Sequence, residues 1–466
     1  MQRGLVMKKA LSIMVLFFVL ASTCMIPSKA NSAMTSWSGI STAGTVFVGE
    51  DCPLEVTKEV LTFNLNEVPR TAGYEVIDLN VANSTVTAEY TFYNPSELEV
   101  TARLAFPFGK RPTYGISSIN SFPTTLDGEE ISKSLRYTLS SGKDFNLTED
   151  LARLSDEYLS YGFFSPDMTV TKYVYDVFGT ADMEFDLYKA FDVAINSEET
   201  RIYSPNTTYS TRLDNGYVRL GNRARTSKTI TVYAIGEPLS KPLEWSFYSD
   251  YTMAEKKETT GSIQLTNTET TTLEELVMEY WDKNSSVSKV DWYNAVISGF
   301  NYREGYSILS NKYGLDVTED LMYWYEYEIT VGAGETVVNT VTAPMYPDVE
   351  TGNDPPKFEY TYLLSPAGTW ASFGELEINV NTPYYITASS IDGFTKTDTG
   401  YTLTLDGLPE TELNFTLRSK PNALNELKSS VSPLANVPDY YFYAAGALAV
   451  AILGITVIVV IKKKNG

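Results

Sequence analysis

The sequence predicts a mainly β protein: tandem β-sandwich-like domains with inserted helices, followed by one C-terminal transmembrane helix. Three observations carry that expectation. Apolar and aromatic residues alternate with period two over many short segments, the pattern of strands with one buried face. The chain of 466 residues holds 33 tyrosines together with many Val and Thr, residue types that suit a pleated, half-buried surface. Its two ends are apolar and basic, whereas everything between them is acidic.

The ends set an expected address. Residues 1–30 carry Lys8 and Lys9, an apolar stretch over 10–21, and the small-x-small triplet Ser28-Lys29-Ala30, the layout of a secretory signal peptide cleaved after Ala30. Residues 440–461 hold no charge and reach across a bilayer at about 1.5 Å per residue. Lys462-Lys463-Lys464 follows, and the positive-inside rule puts residues 462–466 in the cytoplasm. No Leu-Pro-x-Thr-Gly motif precedes the span, so the helix itself is the expected anchor. The resulting expectation is a single-pass protein of a Gram-positive cell membrane, extracellular except for its tail.

Composition excludes several function classes. With the basic residues of both ends set aside, the exterior has twice as many acidic as basic side chains. Such a field repels phosphate backbones, so no nucleic-acid partner is expected. A hydrophobic fraction of 43% rules out a disordered stalk, and the length divides the exterior into more than one core. There is no histidine, which removes Ser-His-Asp and Cys-His catalysis and His-ligated zinc together. Cys24 lies in the leader, leaving Cys52 without an intrachain disulfide partner.

An N-terminal β-sandwich domain with a helical insertion is expected over 31–245. Leu61, Phe63 and Leu65 alternate; residues 86–106 read as a hairpin, with Val86, Ala88, Tyr90 and Phe92 inward, a turn at Asn94-Pro95-Ser96-Glu97, and Leu98, Val100, Ala102, Leu104 and Phe106 returning. Leu147, Leu151, Leu154 and Tyr158 have helical spacing behind a capping-box-like Asn146 and Glu149, so a helix is expected over 148–160. Strands follow at 170–177, 218–220 and 229–234, and Leu243-Glu244-Trp245 closes the domain.

A mixed region is expected over 246–350. Leu273, Leu276, Val277, Tyr280 and Trp281 form one helical stripe, and Trp292, Val296 and Phe300 another after Asp291. Tyr325, Tyr327, Ile329 and Val331 then alternate and turn through Gly332-Ala333-Gly334-Glu335 into 336–341, a second expected hairpin. Residues 351–419 read as a further β-sandwich portion with turns at Asp392-Gly393 and Asp406-Gly407. A linker over 420–439 leads to the span at 440–461 and the tail at 462–466.

The run Val86-Thr87-Ala88-Glu89-Tyr90-Thr91-Phe92-Tyr93-Asn94-Pro95, with Leu104-Ala105-Phe106-Pro107-Phe108 and Leu126-Asp127-Gly128-Glu129-Glu130-Ile131, is similar to VIT-type β-sandwich domains. It also resembles the opening of bacterial exported, membrane-anchored proteins of the DUF4424 type. Tyr362-Leu363-Leu364, Trp370, Phe373-Gly374 and Leu376-Glu377-Ile378 look like the closing portion of that type. The resemblance implies a fold and an address, not an activity. The Asp-x-Ser-x-Ser metal motif that often accompanies VIT domains is missing, the nearest run being Asp282-Lys283-Asn284-Ser285-Ser286.

With histidine absent, a pair of carboxylates would still suffice as acid and base. Glu326 with Glu328, or Glu129 with Glu130, are candidate pairs for a glycosidase, but alternating Glu and Tyr reads first as a solvated strand face. Asp214-Asn215-Gly216, Asp127-Gly128 and Asp392-Gly393 read as tight turns before calcium loops. No catalytic or cofactor-binding residue is assigned, and metal ligands are left open. The expected role is non-enzymatic: binding, adhesion or envelope structure at the cell surface, with a surface protein or glycan as ligand. An extracellular carbohydrate hydrolase and the ectodomain of a sensor complex are the alternatives.

Overall fold

A computed structural model describes residues 42–43, 45–47, 53–67, 84–110, 122–139, 151–178, 188–194, 196, 198–205, 209–212, 217–223, 229–239, 244–248, 262–301, 315–350 and 355–421. The expected leader, membrane span and tail, together with Cys52, lie outside these residues. No described helix is long and apolar enough to cross a membrane.

The first strands are β1 (Thr42–Ala43), β2 (Val46–Phe47), β3 (Glu55–Asn64), β4 (Thr85–Tyr93), β5 (Val100–Lys110), β6 (Thr124–Leu126), β7 (Glu129–Glu130) and β8 (Ser134–Leu139). Next come β9 (Thr169–Phe178), β10 (Tyr188–Ala194), β11 (Thr200–Tyr203), β12 (Tyr209–Arg212), β13 (Tyr217–Arg223), β14 (Thr229–Gly236), β15 (Glu244–Tyr248) and β16 (Ser262–Thr272). Two helices follow, α1 (Leu273–Met278) and α2 (Lys289–Asn301). The chain ends in β17 (Leu321–Val331), β18 (Thr336–Pro344), β19 (Asp348–Glu350), β20 (Lys357–Leu363), β21 (Phe373–Asn381), β22 (Tyr385–Ser389), β23 (Thr395–Lys396), β24 (Gly400–Asp406) and β25 (Leu413–Arg418). The protein is mainly β, as its periodicity predicts.

An eight-stranded sheet has the order β23-β24-β21-β3-β4-β18-β6-β7, and a four-stranded sheet β2-β5-β17-β8 lies apart from it in pairing. A five-stranded sheet is built on β1-β20-β25-β22, with β19 beside β20. The remaining two are β11-β14-β9-β16 and β12-β13-β10-β15. Tyr175, Ile202, Ile230 and Val232 of the former pack with Leu220 of the latter. Tyr233 and Ile235, on the opposite face of β14, join the main core with Leu276 and Phe300.

The two expected hairpins are not hairpins. β4 pairs with β3 and β18, whereas β5 pairs with β17 and β2. Likewise β17 pairs with β5 and β8, whereas β18 pairs with β4 and β6. Each loop is therefore a corner between two sheets, and the two corners run side by side. Alternation alone cannot separate the cases, because a strand's apolar face is buried equally well beside a hairpin partner or against a facing sheet.

Asn94 decides it. Its fully buried side chain shares its amide hydrogens among the carbonyls of Leu98 (2.8 Å), Val331 (2.9 Å) and Gly332 (3.1 Å). Its carbonyl oxygen accepts from the backbone N–H and the hydroxyl of Ser96, at 3.0 and 2.7 Å. Backbone bonds from Asn94 N to Glu335 O and from Gly334 N to Asn94 O, each 3.0 Å, close the clasp. Leu98, expected inward, is left at the corner 75% exposed.

Pairing also crosses the divisions expected near 245 and 350. β21 lies parallel to β3, and β1 lies parallel to β20, so the two ends of the described chain share sheets. Gly374 makes the β3–β21 seam possible: a Cβ there would come within 2.2 Å of the Thr57 carbonyl oxygen. Composition marks where the chain leaves a sheet, not which sheet it enters next.

The expected helix over 148–160 is also corrected in its described part. Only Leu151 and Ala152 are helical, and residues 154–160 are irregular. Asn294 of α2 serves that backbone instead, accepting from Leu159 N (2.9 Å) and donating to Glu157 O (3.1 Å). The second of the later helices matches its stripe, whereas the first ends before Tyr280 and Trp281, the last two positions of its own, and Tyr280 is exposed. α1 begins at a capping box of Thr272 and Glu275 and buries Leu273, Leu276 and Val277; α2 buries Trp292, Val296 and Phe300.

Leu104 is fully buried in the main core. Leu104→Ala should lower the unfolding free energy by about 2–5 kcal/mol in urea titrations. A neutral effect would show that this core is not closed around β5.

Candidate functional site

Strand β17 positions the charged residues. Its Tyr325, Tyr327, Ile329 and Val331 are buried on one face, which turns Trp324, Glu326 and Glu328 to the other. In register, Glu328 faces Arg103 of β5 and Trp324 faces Arg136 of β8. Glu326 therefore lies diagonal to both arginines, within reach of long side chains. Helix α2 lies against β8 and brings Asp291 from its first turn, where Ser288 Oγ accepts from Asp291 N at 3.0 Å.

Arg136 is the hub. Its Nε donates to Asp291 Oδ1 (3.1 Å) and Oδ2 (3.2 Å), and its Nη2 to Asp291 Oδ1 (3.0 Å) and Ser155 O (2.7 Å). Its Nη1 donates to Asp156 Oδ1 (3.0 Å) and to Glu326 Oε2. All five N–H groups of the guanidinium are thereby used. Arg103 donates through Nε to Glu326 Oε1 and places Nη2 at 3.3 Å from Asp156. Asp291 Oδ2 also accepts from Tyr137 N at 3.2 Å, capping a backbone donor on the edge strand of this sheet.

Burial shapes the electrostatics. Asp291 is fully buried, and desolvation pushes its carboxyl above the usual aspartate value, although Arg136 and the Tyr137 N–H pull it back in part. Desolvation alone would lower the pKa of Arg136, but Asp291 and Glu326 outweigh it and raise the net value. Arg103 is likewise raised, first through its hydrogen bond to Glu326.

An open cleft of about 1070 Å³ lies over this cluster, lined by Arg103, Lys133, Arg136, Asp156, Glu326 and Glu328 among others. Lys133 donates to the Phe122 carbonyl and lies 4.9 Å from the Tyr325 ring centre, and burial lowers its pKa. The walls carry both signs of charge, with serine and threonine hydroxyls between them.

The sequence-derived candidates fare unequally. Glu326 and Glu328 share a strand face as expected, but the solvated-face reading fails at Glu326, which is 8% exposed and held by two arginines; Glu328 is exposed. Glu129 and Glu130 are both exposed in β7, and adjacent strand residues point to opposite faces. Asp127 and Gly128 form the turn before them, with φ of 51° and 84°. Gly393, with φ of 105°, marks a turn as well, whereas Asp214-Asn215-Gly216 lies outside the described residues. Asp282 closes its own loop by accepting from Asn284 N at 2.8 Å. Among the described residues no group of acids is arranged to hold a metal ion.

Sequence reasoning did not single out Arg136, Arg103, Asp156 or the ionic role of Asp291. Two local signals existed: an arginine inside the apolar run Leu135–Leu139, and an aspartate three residues after a capping serine. Neither signal reveals that the two meet.

No protein-family profile matches the chain, and no curated protein matches it. A solved structure of a Legionella pneumophila protein, assigned provisionally to nutrient binding, is similar over 86% of this chain and 76% of that one, at 12% identity and a TM-score of 0.31. A likeness at that level carries no argument about function.

Arg136→Met would leave Asp291 and Glu326 buried without their shared counter-charge, which should cost about 3–5 kcal/mol in denaturant unfolding. Arg136→Lys keeps the charge but cannot reach all of its partners, so it should recover only part of that loss. Equal stability of wild type and Arg136→Met would sink the hub reading.

Proposed function

We propose that the chain is a single-pass cell-membrane protein whose extracellular, β-rich part has a non-enzymatic binding, adhesion or envelope-structural role. One observation carries the reading: the buried acids beside the cleft, Glu326 and Asp291, are engaged by arginines. Glu326 gives both oxygens to Arg103 and Arg136, and Asp291 is consumed by Arg136 and Tyr137 N. A glycosidase needs two carboxylates on opposite sides of the scissile bond, roughly 5–10 Å apart and available for proton transfer or attack. Here the exposed partner, Glu328, stands on the same strand and the same face as the engaged Glu326.

What the cleft offers is recognition. Fixed charges of both signs interspersed with hydroxyls suit a ligand rich in hydroxyl and amide groups, as a surface glycan is. The full chain in detergent, passed over a glycan panel, should retain at least one glycan without releasing product, and Glu328→Gln should weaken retention. Turnover abolished by that substitution would instead establish the hydrolase.

The membrane address rests on residues 1–30 and 440–466. Protease added to intact cells should digest 31–439 and leave a membrane-embedded stub. Full protection of that part would refute the proposed orientation.

A further inference from the structure

Glu59 is as fully buried as Asp291 but lacks an arginine partner. Glu59 follows a bulge between Val56 and Lys58 in β3, and its side chain enters the core with Leu61 and Phe63. It is in register with Tyr90 of β4, which is in register with Asn339 of β18. All three are fully buried, so one rung of the eight-stranded sheet is polar between apolar rungs.

Two members of the rung are satisfied. Asn339 accepts from the Tyr327 hydroxyl and donates to Thr125 O, each at 2.9 Å. The Tyr90 oxygen accepts from Thr45 N at 2.9 Å. Glu59 is not satisfied: neither carboxyl oxygen meets hydrogen-bond geometry with a partner among the described residues, and the same is true of the Tyr362 hydroxyl near it. Tyr362 belongs to β20 of the five-stranded sheet and Tyr327 to β17 of the four-stranded one. The rung thus sits where three sheets converge.

The titratable groups acting on this acid are Tyr90 from β4 and Tyr362 from β20; its neighbour on β21 is Leu376, and no described cation offsets its charge. Burial pushes the carboxyl up to about 8, and the neighbouring Tyr90 hydroxyl relieves only part of that. Burial holds both tyrosines neutral by pushing them well above their usual value.

We propose that Glu59 is a proton-dependent lock: protonated, it lets the eight-stranded and five-stranded sheets close on each other, and on losing its proton it loosens that seam. The sign follows from linkage. The carboxyl ionises near 4.5 when unfolded and near 8 when folded, so its contribution to stability is complete below 4.5 and is lost as pH rises through 8. An exterior built this way is firm in acid and looser in mild alkali.

Hydrogen exchange on the full chain in detergent tests the lock. Protection of β3, β4 and β20 should fall roughly tenfold or more between about pH 6 and pH 9 in wild type, and far less in Glu59→Gln. The infrared band of a protonated carboxylic acid should be present at about pH 7 in wild type and disappear as pH rises. Equal pH dependence of protection in both proteins overturns the proposal. Should Glu59→Gln fail to fold, absence of the protonated band from wild type at about pH 7 overturns it equally.

Discussion

Asn94 ties two corners of the chain together, and the sheets on either side hold their register because those corners cannot slide past each other. A single side-chain amide reaches three carbonyls on two loops that lie more than two hundred residues apart in sequence. With the corners tied, β4 must run beside β18 in one sheet and β5 beside β17 in the other. A slip of one residue in β17 would turn Tyr325, Tyr327 and Ile329 out of the core and carry Glu326 away from both arginines. The charged cleft is a consequence of how the corners are held.

The molecule deals with buried acids in two opposite ways. Asp291 and Glu326 are compensated by Arg136, whose planar fork can donate to several carboxylates at once. That network joins β8, β17, the irregular segment at 154–160 and the start of α2, so four parts of the chain are pinned by one side chain. Its worth lies less in net attraction than in the cost of breaking it, since any partner left behind is a buried, uncompensated charge. Glu59 has no such partner and is tolerated only because it can keep its proton.

These two solutions have different consequences. A saturated ion network holds its members in a fixed geometry, because each carboxylate oxygen of Glu326 and Asp291 already accepts from an arginine or a backbone N–H. An isolated buried carboxyl couples folding to the surrounding pH, which matters for a chain whose expected place is outside a membrane.

Much of the secondary structure was legible in the sequence. Period-two alternation marked β3, β4, β5 and β17, shorter strand patterns marked β9, β14 and β18, helical stripes marked α1 and α2, and Asp-Gly pairs marked turns at 127–128 and 406–407. The absence of histidine and the excess of acidic over basic residues narrow the chemistry from the sequence alone. Tertiary structure alone decided that 86–106 is a corner and not a hairpin, that β3 and β21 lie parallel, that Glu326 is held by two arginines, and that residue 59 carries an acid into the core beside Tyr90 and Tyr362. Side-chain period reports which residues share a face. It is silent on which distant strand covers that face, and the compensation of a buried charge depends wholly on that partner.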